Sequence, residues 1–301
     1  MLIPGALAWL FLRGQQVAEL GDFHLERGGT IVGATIGYRT AGHLNAARSN
    51  AVLVLPWFQG TSGQIVWQIG PGRLVDTSKY FVIMADAFGN GVSSSPSTSR
   101  GQRGERFPEF TIGDIVESQY QLVTRVLRLQ RLHAVVGISM GGMQVFQWTV
   151  AHPGFMDKAV SIVGSPQSQP DDRERWHRAI DRLRRPPWRR IREPLLALKP
   201  RAALGEIRIA PFDYLRQAQA IVDFDVTGSG DGSLQRTAAR IRARLMIVST
   251  WSDGDVNPAP AFELARLTHA MVLELNGRCG HQAPSCERKV LWAAVGNFLD
   301  Q

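Results

Sequence analysis

The chain has 301 residues, 44% of them hydrophobic and 20% charged, with a formal net charge of +8. That length buries a sizeable core and suits one large α/β domain carrying an insertion. No apolar run reaches bilayer length, which excludes an integral membrane segment, and two cysteines are too few for a disulfide scaffold. The excess charge is local. Between Asp171 and Arg201 stand eleven Lys and Arg against five acids, so this stretch alone supplies +6. Its Arg178, Arg182 and Arg185 recur at helical spacing around Trp176, Ile180 and Leu183, as on a solvated helix face. The alternative is an electropositive rim for anionic substrates or a membrane surface. Aromatic residues are not interleaved with these charges as nucleic-acid stacking requires, so no nucleic-acid partner is expected.

The chain opens on Met1-Leu2-Ile3-Pro4, and stays apolar to Leu12 with no basic residue ahead of the apolar part. Residues 1–22 read as an N-terminal extension or a signal remnant. The missing basic flank favours the cytoplasm over the periplasm or secretion. Strand-like and helix-like runs then alternate. Thr30 to Tyr38, Ala51 to Leu55, Phe81 to Ala85 and Ala134 to Gly137 are expected strands. Ile112 to Leu129 is an expected helix, with Ile115, Val116, Gln119, Leu122, Val123 and Val126 largely on one face.

Ala159 to Gly164 is the next expected strand, after which the rhythm breaks. Residues 166–236, rich in Arg, Pro and Asp, read as a cap inserted into a core made of 23–165 and 237–301. The rhythm resumes with the strand Leu245 to Ser249, a helix at Pro260 to Leu267, the strand Met271 to Leu275 and a last helix at Arg288 to Leu299. Alternation of this kind predicts an α/β fold with a mostly parallel sheet and helices on both faces.

Gly137-Ile138-Ser139-Met140-Gly141 joins an apolar strand to a helix-spaced run, Gly142 to Trp148. A Gly-x-Ser-x-Gly in that context reads as a nucleophile elbow, in which a sharp turn lifts the serine hydroxyl above the sheet. Small residues are needed two positions either side, because strand and helix pass close there. Ser139 then needs a base to take its proton and a carboxylate to hold that base. In this fold the order is serine, acid, histidine. Only His269 and His281 follow residue 253, and His269 ends a predicted helix, so His281 is the expected base. Two acids follow the Leu245–Ser249 strand. Asp253, nearest the strand end, is favoured, and Asp255 remains the alternative, a turn residue on the first reading. The amides of Met140 and of Phe58, in the loop after Ala51–Leu55, are the expected oxyanion donors. Cys279 and Cys286 bracket His281, either as two half-buried thiols or as a short-loop disulfide.

Longer motifs carry a resemblance. Gly137-Ile138-Ser139-Met140-Gly141-Gly142-Met143-Gln144 is similar to the extended elbow of the homoserine O-acetyltransferase family of α/β-hydrolase-fold enzymes. So are Ile36 to Gly42 with Leu44-Asn45, Ile69 to Gly72 with Asp76 to Val82, and Thr111 to Gln119. The likeness runs through residues 20 to 165 and 210 to 300. It implies Ser139, Asp253 and His281 as the triad, Phe58 and Met140 as oxyanion amides, and no cofactor or metal. Where the transferases carry an aspartate after the histidine to hold the homoserine ammonium, this chain has Gln282, a neutral amide. The cap is also short for a family whose lid helices bring subunits together, and no arginine matches the family's substrate-binding one.

These departures resemble the family's hydrolase-like branch. They imply a serine ester hydrolase acting through an acyl-enzyme on a small or medium carboxylic ester. The alternative is an acyltransferase passing an acyl group, from acyl-CoA for instance, to a hydroxyl acceptor. A non-catalytic binding protein on the same fold is the remaining reading, and a homodimer is among the assemblies the resemblance implies.

Overall fold

The computed structural model describes residues 12–184, 210–228 and 232–301. Eight strands form one sheet in the order β1-β2-β4-β3-β5-β6-β7-β8. They are β1 (Gln16–His24), β2 (Thr30–Ala41), β3 (Ala51–Leu55), β4 (Phe81–Ala85), β5 (Leu132–Ile138), β6 (Met156–Ile162), β7 (Arg244–Ser249) and β8 (Met271–Glu274). The six strands from β4 to β8 in that order run parallel, and β2 lies antiparallel to both β4 and β1. The core expected from the sequence begins at residue 23 and includes no counterpart of β1. The sheet begins at Gln16 instead, on a strand whose residues are mostly exposed and whose pairing is broken by irregularities around Gly21. Such an edge strand lacks the apolar alternation that announces a half-buried one.

The central strands are buried on both faces, as parallel strands flanked by helices must be. Leu53, Leu55, Ile83 and Val135 face one core layer. That layer is completed by α2 (Ile112–Gln121), α3 (Met140–Ala151) and α7 (Ala259–Thr268). Val52, Val54, Val82 and Val136 face the other, closed by Ile65 of α1 (Ser62–Ile65) and by Leu291, Val295 and Phe298 of α9 (Arg288–Asp300). Thr111 caps α2 reciprocally with Asp114. The helix expected to run to Leu129 is α-helical only to Gln121. It then widens into a π-helical turn, Leu122–Val126, where Leu127 N–H bonds to Leu122 O at 2.9 Å. The extra residue in that turn shifts the apolar face, and Val126, expected on it, is 38% exposed.

Within 166–236 the described residues form α4 (Pro170–Arg184), α5 (Pro211–Val222) and α6 (Leu234–Arg240). α4 and α5 pack through Ile180, Leu183, Tyr214, Leu215, Ala218 and Val222, with Phe58 and Trp176 against them. Arg178 and Arg182 are exposed on α4, and Arg178 pairs with Glu174 one turn away. Arg185, and residues 1–11 of the expected N-terminal segment, lie outside the described residues. Among the described residues no helix is long and apolar enough to cross a membrane.

Candidate active site

Ser139 stands between β5 and α3 with φ 57° and ψ −116°. A non-glycine residue holds such a conformation only where its surroundings over-determine it. Here its N–H bonds to Ile162 O of β6 at 2.8 Å, and its carbonyl accepts from Met143 N–H at 3.0 Å. The two elbow glycines are set by contact. A Cβ on Gly137 would lie 2.1 Å from Gly141 O, and one on Gly141 would lie 2.2 Å from Leu55 O. Strand, helix and the end of β3 therefore meet with no room for a side chain. The N-terminus of α3 begins directly after the hydroxyl, so the helix dipole favours negative charge there.

The histidine and the acid arrive on the two loops that follow the next strands. His281 lies in a 3-10 turn, Gly280–Gln282, ahead of α8 (Ala283–Cys286). Its Nε2 is 2.8 Å from Ser139 Oγ and its Nδ1 is 2.8 Å from Asp253 Oδ2. The carboxylate assigns the ring proton to Nδ1 and leaves Nε2 free to accept from the serine hydroxyl. The Asp253 side chain is 1% exposed, and its Oδ1 accepts the amides of Asp255 and Val256 at 2.9 and 3.0 Å. The side chain of Asp255 is 51% exposed and faces Arg175 of α4 at 3.9 Å. Of the two acids left open by the sequence, the structure brings only Asp253 to the histidine. His269 ends α7 with φ 51° and lies outside this constellation.

The histidine loop is tied at its base. Cys279 and Cys286 are joined in a disulfide, which decides between the two readings of that pair. Ser252 Oγ donates to Gly277 O at 3.2 Å, and Glu287 Oε1 accepts Gly277 N–H at 2.9 Å. The acid loop is held to the cap as well. Arg175 donates to Gly254 O and to Asp172 Oδ1, and Asp172 Oδ2 accepts Asn257 N–H at 3.2 Å. Gln282 is exposed.

The loop after β3 turns tightly, with Gly60 N–H bonded to Trp57 O at 2.8 Å and Gln59 at φ 56°. Phe58 occupies the corner. Its ring meets Tyr214 edge-on at 4.8 Å and lies 5.0 Å from Trp176. Neither the Phe58 amide nor the Met140 amide donates to another described residue. Burial lifts the Tyr214 phenol to about 12, so it stays protonated, and its hydroxyl has no partner among the described residues.

A buried polar network that the sequence did not disclose lies under this turn. Asp86 Oδ1 accepts from Ser62 N–H at 2.6 Å and from Asn90 Nδ2 at 3.0 Å. Its Oδ2 accepts from Ser62 Oγ at 2.7 Å, and Asn90 Nδ2 also reaches Gly60 O at 3.0 Å. Asp86 follows β4 directly, at the same edge of the sheet as the elbow. That strand-end position was the signal available in the sequence.

The model of the alpha/beta hydrolase fold family matches residues 50–201. The chain is 37% identical over 159 residues to an ethyl acetate hydrolase of Pseudomonas veronii, covering 52% of this chain and 46% of that one. It is 38% identical over 163 residues to a homoserine O-acetyltransferase of Methanobrevibacter ruminantium, covering 48% and 33%. The chain thus matches less than half the length of these curated relatives. In three dimensions it superposes on an acetylester hydrolase from Corynebacterium glutamicum with a TM-score of 0.83, at 23% identity, over 96% of both chains.

Proposed function

The chain belongs to the alpha/beta hydrolase fold family, and from that premise we propose that it is a serine hydrolase of small or medium carboxylic esters. The carrying observation is the relay from Ser139 through His281 to Asp253, two contacts of 2.8 Å behind a serine at a strained strand-to-helix turn. In this reading Ser139 Oγ attacks the ester carbonyl carbon while His281 Nε2 takes its proton. Asp253 holds the ring in the tautomer that can accept and then stabilises the imidazolium. The charge on the former carbonyl oxygen falls to the free amides of Phe58 and Met140, aided by the N-terminus of α3. As the C–O bond to the alcohol breaks, His281 returns the proton to the leaving oxygen, giving alcohol and acyl-enzyme. Water then attacks the acyl carbon, His281 takes its proton, and collapse releases the acid and restores Ser139.

Similarity to the ethyl acetate hydrolase supports a short acyl group. The second reading, transfer to a hydroxyl acceptor, is supported by similarity to the acetyltransferase. It shares the acyl-enzyme and differs only in what attacks it. The neutral, exposed Gln282 speaks against an ammonium-bearing acceptor such as homoserine. Helices α4 and α5 act as the cap in both readings.

The test is turnover of p-nitrophenyl acetate by wild type and by Ser139→Ala, with and without hydroxyl acceptors. Wild type should hydrolyse the ester, the variant should not, and a fluorophosphonate should label Ser139. Acceptors that raise turnover and carry away the acetyl group make it a transferase. Unlabelled Ser139, with neither ester nor acyl-CoA consumed, would leave a non-catalytic binding protein.

A further inference from the structure

The turn that carries Phe58 is not held by the sheet alone. Two peptide planes flank the Phe58 Cα: the first carries its N–H, and the second carries the bond that anchors the turn to the cap. The plane before it, bearing that N–H, is fixed by the Gly60 N–H bond to Trp57 O. The plane after it bears the Gln59 N–H, which points into α5. There Gln217 Oε1 accepts it at 2.8 Å. The same oxygen accepts Gln59 Nε2 at 2.9 Å, and Gln217 Nε2 donates to Phe88 O at 2.8 Å. Gln59 Nε2 also reaches Gly89 O at 2.9 Å. Gln217 is fully buried, so these bonds are shielded from exchange with water.

The bond to the Gln59 amide works against a local preference. Gln59 sits at φ 56°, where a residue with a side chain is disfavoured. The Phe58–Gln59 peptide can relieve this by rotating toward the negative φ of the commoner turn. Such a rotation withdraws the Gln59 N–H from Gln217, reverses the Phe58 carbonyl and releases from α5 the turn that bears the Phe58 N–H. An acceptor buried 158 positions later in the chain therefore keeps the turn in its less favoured form.

We propose that Gln217, on the cap helix α5, is a positioning residue for the oxyanion hole, acting on Phe58 through the backbone of Gln59. This rests on the serine hydrolase reading above. On this view the cap does more than cover the site. Docking of α5 completes one of the two oxyanion donors, so the hole is assembled only when the cap is seated. Asp213, whose Oδ1 accepts Ser97 N–H at 2.8 Å, and Arg216, which donates to Phe107 O and Glu105 O at 2.8 Å each, seat that helix in the turn ahead of Gln217.

Gln217→Met keeps the volume and removes the acceptor. Because losing an oxyanion donor outright costs about 10²–10³ in kcat, a donor merely released should cost about 10–100-fold. KM for p-nitrophenyl acetate should stay within about three-fold, since the donor matters most where charge develops. A trifluoromethyl ketone, whose adduct with Ser139 puts an oxyanion in the hole, should weaken by a factor matching the loss in kcat. Gln217→Glu supplies a second measurement and covers a Met variant that does not fold. Burial favours its neutral acid, whose carbonyl and O–H reproduce the acceptor and donor of the amide. Its kcat relative to wild type should be near one at the acidic end of the range and fall as pH rises. Unchanged kcat and inhibitor affinity in the Met variant overturn the proposal, as does a Glu variant no more active than the Met variant at the acidic end of the range. If Ser139→Ala still hydrolyses the ester, the serine hydrolase reading fails. If Ser139→Ala is dead and Gln217→Met matches wild type, only the positioning role fails.

Discussion

Both ends of the parallel sheet bury a histidine among hydrogen-bonding partners, and the two are built for opposite purposes. At the C-terminal edge, His281 has a carboxylate behind it and a hydroxyl in front, each at 2.8 Å. At the N-terminal edge, His133 of β5 has Nε2 2.9 Å from Leu299 O, at the end of α9, and 3.3 Å from the ammonium of Lys158 on β6. Lys158 itself donates to Leu299 O at 2.7 Å. Nε2 of His133 either donates to that carbonyl or accepts from the lysine, and it cannot do both. A histidine with a carboxylate at its back is equipped to gain a proton in passing. One held by burial, with a lysine at its side, is equipped to stay neutral. The residue type is the same at the two ends, and its surroundings separate a reactive site from a structural one.

The comparison breaks first if the wrong histidine matters. His281→Ala should lower kcat for an ester substrate by roughly 10⁴–10⁶, the range seen when a triad base is removed. His133→Ala should leave kcat within a few-fold and lower the melting temperature instead. Steady-state kinetics beside a thermal melt of each variant separates these outcomes. Comparable losses of kcat in both would end the distinction between the two edges.

A narrower contrast lies within the reactive edge. Asp253→Asn keeps the shape but offers the histidine an amide, so the ring can settle in the wrong tautomer; kcat should fall by about 10⁴. Asp255→Asn changes a half-exposed side chain 3.9 Å from Arg175 and should cost only a few-fold. Its backbone amide, which holds Asp253, is untouched by the substitution. An inverted order of these two effects would reassign the acid.

How far the sequence reached follows the same divide. The elbow was legible because its signal is local: a strand, two glycines, a serine and a helix within one short segment. Chain order then led to His281, since a parallel sheet delivers successive loops to one edge. Between Asp253 and Asp255 it offered only proximity to the strand end, and the amide contacts that hold Asp253 belong to the folded loop. β3 and β4 fall where their apolar runs predicted them, while β1 went unread because its residues face solvent. Gln59 and Gln217 were invisible for another reason. Each is an ordinary polar residue whose partner lies across the fold, and no spacing along the chain marks a pair 158 positions apart.

The tether on the reactive histidine offers a smaller effect. His281 sits on a loop closed by the Cys279–Cys286 disulfide, whereas His133 is held by a strand and needs none. For a separation of seven residues, chain entropy assigns the bond about 2.5 kcal/mol. Cys279→Ser with Cys286→Ser should lower the melting temperature by about 5–10 °C and kcat by a few-fold to about ten-fold, as the ring samples positions away from Ser139. Treatment of wild type with a dithiol should reproduce the loss in kcat and leave the double variant unchanged. A double variant with full kcat would mean that the turn and its hydrogen bonds hold the ring unaided.

The smallest effect tests the quiet edge. Burial holds the His133 imidazole below its ordinary value; its bond to Leu299 O opposes this, Lys158 adds to the lowering, and Asp157 and Asp300 oppose it. The folded chain therefore prefers a neutral ring, while the unfolded chain protonates near pH 6.5. Above that value the ring is neutral in both states and its contribution is complete. As pH falls from about 6.5 toward the lower folded value, the unfolded state takes up a proton that the folded state refuses, and stability is lost. His133→Gln can still donate to Leu299 O but does not titrate. Between about pH 6.5 and 5, the melting temperature of wild type should fall more steeply than that of the variant. The excess should be no more than about 2–4 °C per pH unit, the ceiling set by one proton per molecule. Parallel curves would mean that His133 accepts its proton as readily folded as unfolded, and that burial beside Lys158 does not set the character of this edge.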